Sequence, residues 1–292
     1  MEIGAIMKIA ALLTGGMLLS YAALEVVKDP SAEPARGMPA RVRQPKPESQ
    51  QNVESTEEST ESLTVRQCIS LLEKGRSWLQ TMPDYTATFH RQELVQGELR
   101  EATTTELKLR HDPFSVTMRS PDGQTAVYCD GANDNRLAVK LGGWKKRLGW
   151  MNLDPHSSIA MQESRYPITD LGLLRLTEQL IERYRPYADA TEGVECAWLP
   201  DEMIGERPCR VFTVSSASPE DNPEYRSSTV WLDQEWSIPL AVTNTGWETN
   251  ATNREGLLEH YVYEDVRFNR RLSSRDFAAD SSAGTTVAEL VE

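Results

Sequence analysis

The sequence predicts an α+β domain, mostly antiparallel β, in which a meandering sheet presents one apolar face to two covering helices. Three observations predict it. Most of the chain beyond Pro83 falls into short segments in which apolar and polar residues alternate, the period of strands with one buried face. Two segments instead repeat apolar residues three and four apart, the period of a helix. The strand-like segments follow one another through turns, and no dinucleotide-binding or P-loop glycine pattern marks a parallel crossover.

The chain has 292 residues, 31 Lys+Arg against 44 Asp+Glu, a formal net charge of −13 and 39% hydrophobic residues. An acidic surface argues against nucleic acid as a partner, because phosphates require a basic face. Ile9–Leu24 carries no charge, with Lys8 before it and Glu25 after it. Such a run reads as a secretory signal peptide or, uncleaved, as a membrane anchor over residues 1–27. Either one exports the rest of the chain, to the periplasm or cell envelope, anchored at the inner membrane if the segment is retained. Residues 28–63 are rich first in proline and then in acidic and polar residues. They cannot bury enough apolar surface to offset ordering entropy and read as a disordered linker. Residues 279–292 read as a flexible tail, which leaves 64–278 as one domain.

That domain opens with a helix: Val65, Cys68, Ile69, Leu72 and Leu79 share one face, Thr64 is placed to cap it, and Pro83 lies beyond its end. From Tyr85 the period becomes two, with Tyr85, Ala87 and Phe89 on one side. Leu107 and Leu109 continue that side on the next strand, and Phe114, Val116 and Met118 on a third, before the Pro121-Asp122-Gly123 turn. Thr125–Cys129 and Arg136–Leu141 follow as strands. Leu173, Leu176, Leu180 and Tyr184 then mark a second helix, capped by Thr169 or Asp170 and limited by Pro186. Strands resume at Val194–Leu199, Cys209–Ser215, Ser228–Asp233, Leu240–Thr245 and Leu258–Asn269.

Residue types bound the chemistry. The cysteines are Cys68, Cys129, Cys196 and Cys209, an even set that permits disulfides after export. Cys196 and Cys209 lie on neighbouring predicted strands and are expected to pair across a hairpin, buried free thiols being the alternative. Neither the cysteine nor the histidine spacings suit a metal, so no metal or cofactor is expected. His156 beside Ser157 and Ser158 is the one hydrolase candidate, and neighbours in sequence do not make a nucleophile–base pair. The oxygen-rich stretch Asp130–Asn135 reads as an Asx turn rather than a calcium loop. Arg91 and Glu93 are expected to join Glu106 and Arg110 in a cross-strand ion network. The stripe Phe114, Val116 and Met118 either packs against the helices or lines a cavity for an apolar ligand.

The landmarks Arg91-Gln-Glu93, Gly97-Glu-Leu99, Lys108-Leu-Arg110, Pro113-Phe-Ser-Val116, Tyr128-Cys-Asp130-Gly131, Leu153-Asp-Pro155, Arg165-Tyr-Pro-Ile-Thr169 and Leu258-Glu-His-Tyr261 resemble an exported bacterial family, domain of unknown function 1571, seen chiefly in planctomycetes. Tyr166 stands where that family usually has histidine. More distantly, Trp231-Leu-Asp233, Ile238-Pro239-Leu240 and Val266-Arg-Phe-Asn269 resemble the LolA-like lipoprotein- and lipid-carrier superfamily. That likeness implies an unclosed half-barrel wrapped over helices, and a non-enzymatic carrier or sensor for a lipid or lipidated protein. On this reading Phe89, Leu107, Leu109, Phe114, Val116 and Met118 line an apolar cavity, and Arg110 or Arg165 meets an anionic headgroup. A protein-interaction or structural module with a filled core, or a hydrolase, is the alternative.

Overall fold

The computed structural model describes residues 63–250 and 252–279. The expected signal or anchor (1–27), the linker (28–63) apart from Leu63 and the tail (279–292) apart from Ala279 lie outside them. Among the described residues no helix is long and apolar enough to cross a membrane.

Helix α1 spans Val65–Leu79, and Thr64 caps it in a reciprocal box with Gln67. Twelve strands follow: β1 Asp84–Val95, β2 Glu98–Leu99, β3 Thr103–Arg110, β4 Ser115–Arg119, β5 Thr125–Cys129, β6 Leu137–Lys140, β7 Trp150–Leu153, β8 Val194–Ile204, β9 Arg207–Ser216, β10 Ser227–Asp233, β11 Pro239–Thr245 and β12 Leu257–Phe268. Helix α2, Leu173–Tyr184, lies between β7 and β8. The strands run β7-β6-β5-β4-β3-β1-β12-β11-β10-β9-β8, with β2 paired to β1, and every pairing is antiparallel. β7 and β8 end the order unpaired with each other, so the sheet is an unclosed half-barrel covered by two helices, the arrangement that the LolA-like resemblance implied. Because α2 joins the two open edges, its connection carries it across the sheet. The last strand, β12, closes on the first, β1, and unites the two meanders.

Alternation decides what faces inward. Tyr85, Phe89, Leu107, Leu109 and Val116 from one meander meet Phe212, Val230, Leu240, Val242 and Tyr263 from the other. Over them lie Cys68, Leu72 and Leu79 of α1 and Leu173, Leu176, Leu180, Ile181 and Tyr184 of α2. Burying each large side chain fully contributes about 1.5–3 kcal/mol. On the other face Val127, Ala138, Trp150 and Phe277 form a smaller cluster. The C-terminal turn Ser274–Phe277 is tied there by Lys108 to Asp276 at 2.7 Å and by Thr117 to the Asp276 carbonyl.

The structure revises several expectations. Helix α2 starts at Gly172 rather than at Thr169 or Asp170, which belong to a separate turn, Ile168–Asp170. Gly172 has φ 114°, and a Cβ there would lie 2.5 Å from Leu109 Cδ1. No side chain at residue 172 can cap the helix, so Tyr85 Oη accepts the Leu173 N–H instead, at 2.9 Å. β2 and β7 escaped the periodicity because each is too short to display one. The expected ion network forms only within β1, where Arg91 meets Glu93, and not across to Glu106 and Arg110. Antiparallel register sets Arg91 opposite Thr103, Glu106 opposite Thr88 and Arg110 opposite Asp84, which separates the pairs along the strands.

The cysteine pairing is likewise corrected. Register places Cys196 opposite Val214 and Cys209 opposite Glu202, so the two do not face each other, and all four cysteines are free thiols. Cys196 instead lies on the inward face of β8, its side chain in hydrogen-bond contact with Cys68 on the inward stripe of α1. That contact, with burial, pushes the Cys68 thiol up, and the same contact draws the Cys196 thiol down against its own burial. Under oxidising conditions the expected link is therefore Cys68–Cys196, seen as one cross-linked peptide pair in a non-reducing mass map. A Cys196–Cys209 peptide would contradict the register.

Candidate functional site

The inward alternation of β1 runs Phe89, Arg91, Glu93, and that of β12 runs Glu259, Tyr261, Tyr263. Both strands thus turn from apolar to charged at the same end. Register sets Glu93 directly opposite Glu259, and they are 3% and 1% exposed. Facing like charges destabilise a strand pair unless they are compensated.

The compensation comes from elements far apart in sequence. Tyr261 Oη donates a short hydrogen bond to Glu93 Oε1, and Arg91 Nη1 reaches Glu93 Oε2 at 3.3 Å. Glu259 accepts from Arg165 Nε at 3.1 Å, from Arg183 Nη2 at 3.2 Å and from Asn244 Nδ2 at 2.6 Å. Arg183 lies in the last turn of α2, where the helix dipole favours a cation, and its guanidinium stacks 3.8 Å over the Tyr225 ring. Burial opposes the Arg183 charge, but Glu259 with the surrounding tyrosines outweighs it and holds the guanidinium above its ordinary pKa. The balance at Arg165 is similar, with Glu259 and Tyr166 against burial. Burial and Glu259 raise the Tyr166 hydroxyl, so it stays protonated at neutral pH. Arg183 Nη1 and Asn244 Oδ1 are buried without a hydrogen-bond partner.

Beyond this cluster lies an open groove of about 440 Å³ lined by Leu94, Val95, Gln96, Met161, Ser164, Arg165, Tyr166 and Glu224. Arg165 belongs to both. Its Nη1 donates to the Leu94 carbonyl and its Nη2 to Glu224 at 3.2 Å, while Ser164 Oγ bridges the Arg91 guanidinium and the Tyr166 carbonyl. The groove therefore has mixed walls, apolar at Leu94, Val95 and Met161 and polar at Gln96, Ser164 and Glu224, beside a guanidinium held in place by a buried carboxylate.

The sequence-predicted residues fall into separate places. Phe89, Leu107, Leu109 and Val116 are at most 1% exposed in the core under the helices, and Phe114 and Met118 pack partly buried at its flank. Arg165 lines the groove. Arg110 does not border the apolar wall: it faces away from Leu109, donates to Ser115 Oγ and the Pro113 carbonyl, and lies over the Phe277 ring. No nucleophile–base pair forms at His156, which is exposed, while Ser157 Oγ donates to the Asp154 carbonyl at 2.6 Å. Asp130–Asn135 is a turn in which Asn135 Oδ1 accepts the Gly131 N–H.

Sequence reasoning missed Glu259, Asn244, Arg183, Tyr166 and Tyr225 as a group. A signal existed for part of it: Glu93 and Glu259 sit at inward positions of alternating strands, where a charged side chain needs a buried partner.

Solved structures give distant similarities. MucB matches with a TM-score of 0.42 at 13% identity, over 74% of this chain and 63% of that one, so the chain spans less than two thirds of MucB. The Mycobacterium tuberculosis lipoprotein LppX matches with a TM-score of 0.39 at 12% identity, over 71% and 97%. A LolA-superfamily protein from Nitrosomonas europaea matches with a TM-score of 0.21 at 14% identity, over 75% and 99%. No curated protein sequence matches the chain. A family model matches residues 82–284, from β1 past the C-terminal turn, and by that match the chain belongs to the protein family of unknown function DUF1571.

Proposed function

We propose that this protein is a non-enzymatic, exported cell-envelope protein that carries or senses a lipid or a lipidated protein. The observation that carries this reading is the groove at the charged end of the half-barrel, where apolar Leu94, Val95 and Met161 stand beside the anchored Arg165. An anionic headgroup at Arg165 leaves its acyl chain to follow apolar surface toward the sheet–helix interface. Each methylene buried there contributes about 0.8 kcal/mol. Phe89, Leu107, Leu109, Phe114, Val116 and Met118 are the proposed wall. Helix side chains already fill their space, so entry of a chain requires α1 or α2 to move off the sheet.

The same packing supports a second reading, a protein-interaction module that holds no ligand. One experiment separates the two. The full chain is produced in an exporting bacterial host, extracted with organic solvent for lipid analysis, and titrated with a fluorescent fatty acid. A co-purifying lipid or saturable uptake, weakened in Met118→Trp and Arg165→Gln, is the expected result. An empty protein without saturable uptake overturns the carrier reading and favours the module.

A further inference from the structure

The exposed large apolar side chains among the described residues are Trp144 (78%), Leu148 (51%), Leu199 and Met203. Trp144 and Leu148 share one short helical turn, Gly143–Leu148, that joins β6 to β7 at an open edge of the sheet. Its sequence is Gly-Trp-Lys-Lys-Arg-Leu. From Arg136 to Leu153 the chain has Arg136, Lys140, Lys145, Lys146 and Arg147 and no acidic residue, within a protein of net charge −13; the nearby acid is Asp122, whose carbonyl accepts the Gly143 N–H. Arg147, between the two in sequence, is exposed. Lys145 is buried and Lys140 lies over the Trp150 ring, so on the turn itself the exposed charge beside the two apolar side chains is that of Arg147.

We propose that this turn is a docking site for an anionic lipid surface, with Trp144 and Leu148 entering the headgroup region and Arg147 meeting lipid phosphate. An indole combines an apolar ring with an N–H donor and suits that interface. Arg147 beside it gains from the negative surface potential of an anionic leaflet. The size of the patch favours a membrane over a protein. A stable protein interface buries about 800 Å² per partner, whereas interfacial insertion requires only a few apolar side chains in a cationic setting. The site lies on the connection between β6 and β7, shares no lining residue with the groove, and does not depend on the carrier reading.

The test uses the full chain with vesicles of zwitterionic lipid alone or mixed with anionic phosphatidylglycerol, each with brominated acyl chains that quench nearby tryptophan. The N-terminal apolar segment can hold the chain on either vesicle without placing Trp144 in the bilayer, so the readout is local. Trp144→Phe removes the reporting side chain from an exposed position, where the fold does not depend on it. The expected result is quenching on anionic vesicles that Trp144→Phe lacks. That difference falls at least about fivefold on zwitterionic vesicles, the loss of roughly one basic residue's attraction. Leu148→Ser weakens it on the anionic ones. Absence of Trp144-dependent quenching on anionic vesicles overturns the proposal, as does equal quenching on both. Protection of Trp144 by self-association in solution, without quenching, overturns it in favour of a second copy of the chain.

Discussion

Replacing Glu259 by alanine is expected to cost about 3–5 kcal/mol, because it leaves the mostly buried Arg183 guanidinium without its carboxylate and Arg165 with Glu224 alone. Arg165 and Arg183 both converge on Glu259, and Asn244 donates to the same oxygen as Arg183. A domain stable by about 5–15 kcal/mol would lose a large share of its margin. The measurement is the urea midpoint at neutral pH by tryptophan fluorescence. Glu259→Gln keeps acceptor capacity and is expected to cost less. Combining Glu259→Leu with Arg183→Met is expected to cost less than the sum of the single changes, since the pair removes both the charge and its unsatisfied partner. A Glu259→Ala protein within 1 kcal/mol of the native one, taking roughly that figure as the ordinary effect of a point change, would show that the cluster does not hold the fold.

Gly75→Ala is the second large effect, and its sign is the informative part. In an exposed helix the change to alanine stabilises by about 1 kcal/mol. Here a Cβ would fall 1.9 Å from the Ser237 carbonyl oxygen, a backbone atom. That turn cannot yield easily. Asp233 Oδ1 accepts the Glu235 and Trp236 N–H groups, and Arg207 grips the Asp233 carboxylate at 2.7 and 2.9 Å. Helix α1 would have to retreat, opening the stack of Trp78 on Trp236 at 5.3 Å and loosening Leu72 and Leu79. Overpacking of this kind typically costs about 1–3 kcal/mol, and a backbone clash puts Gly75→Ala at or above the upper end. Thermal unfolding of the variant checks it, and a rise in midpoint would contradict the close approach.

Much of the element order was legible because it depends on local period. The stripe Val65, Cys68, Leu72 and Leu79 and the alternation from Tyr85 to Phe89 each need only a few neighbouring residues to declare themselves. The inward positions of Phe89, Leu107, Leu109 and Val116 followed from the same alternation, since a strand that buries one face buries every second residue. What escaped were features that depend on register. A cross-strand partner is set by turn length and bulges rather than by residue type, so Cys196 could not be assigned its neighbour by strand adjacency alone. Arg91 and Arg110 were separated for the same reason.

By itself, the sequence determined the class of fold, the two helices, most of the strands and which of their faces are apolar. These follow from propensity, periodicity and turn chemistry, all local properties of the chain. Only the tertiary structure decided that β12 closes on β1 and sets Glu93 against Glu259, and that α2 brings Arg183 to them. It alone placed Cys68 beside Cys196 and left Trp144 and Leu148 uncovered. Each of those outcomes rests on contacts between residues distant in sequence. Long-range strand pairing and helix docking select such contacts, and no local pattern encodes them.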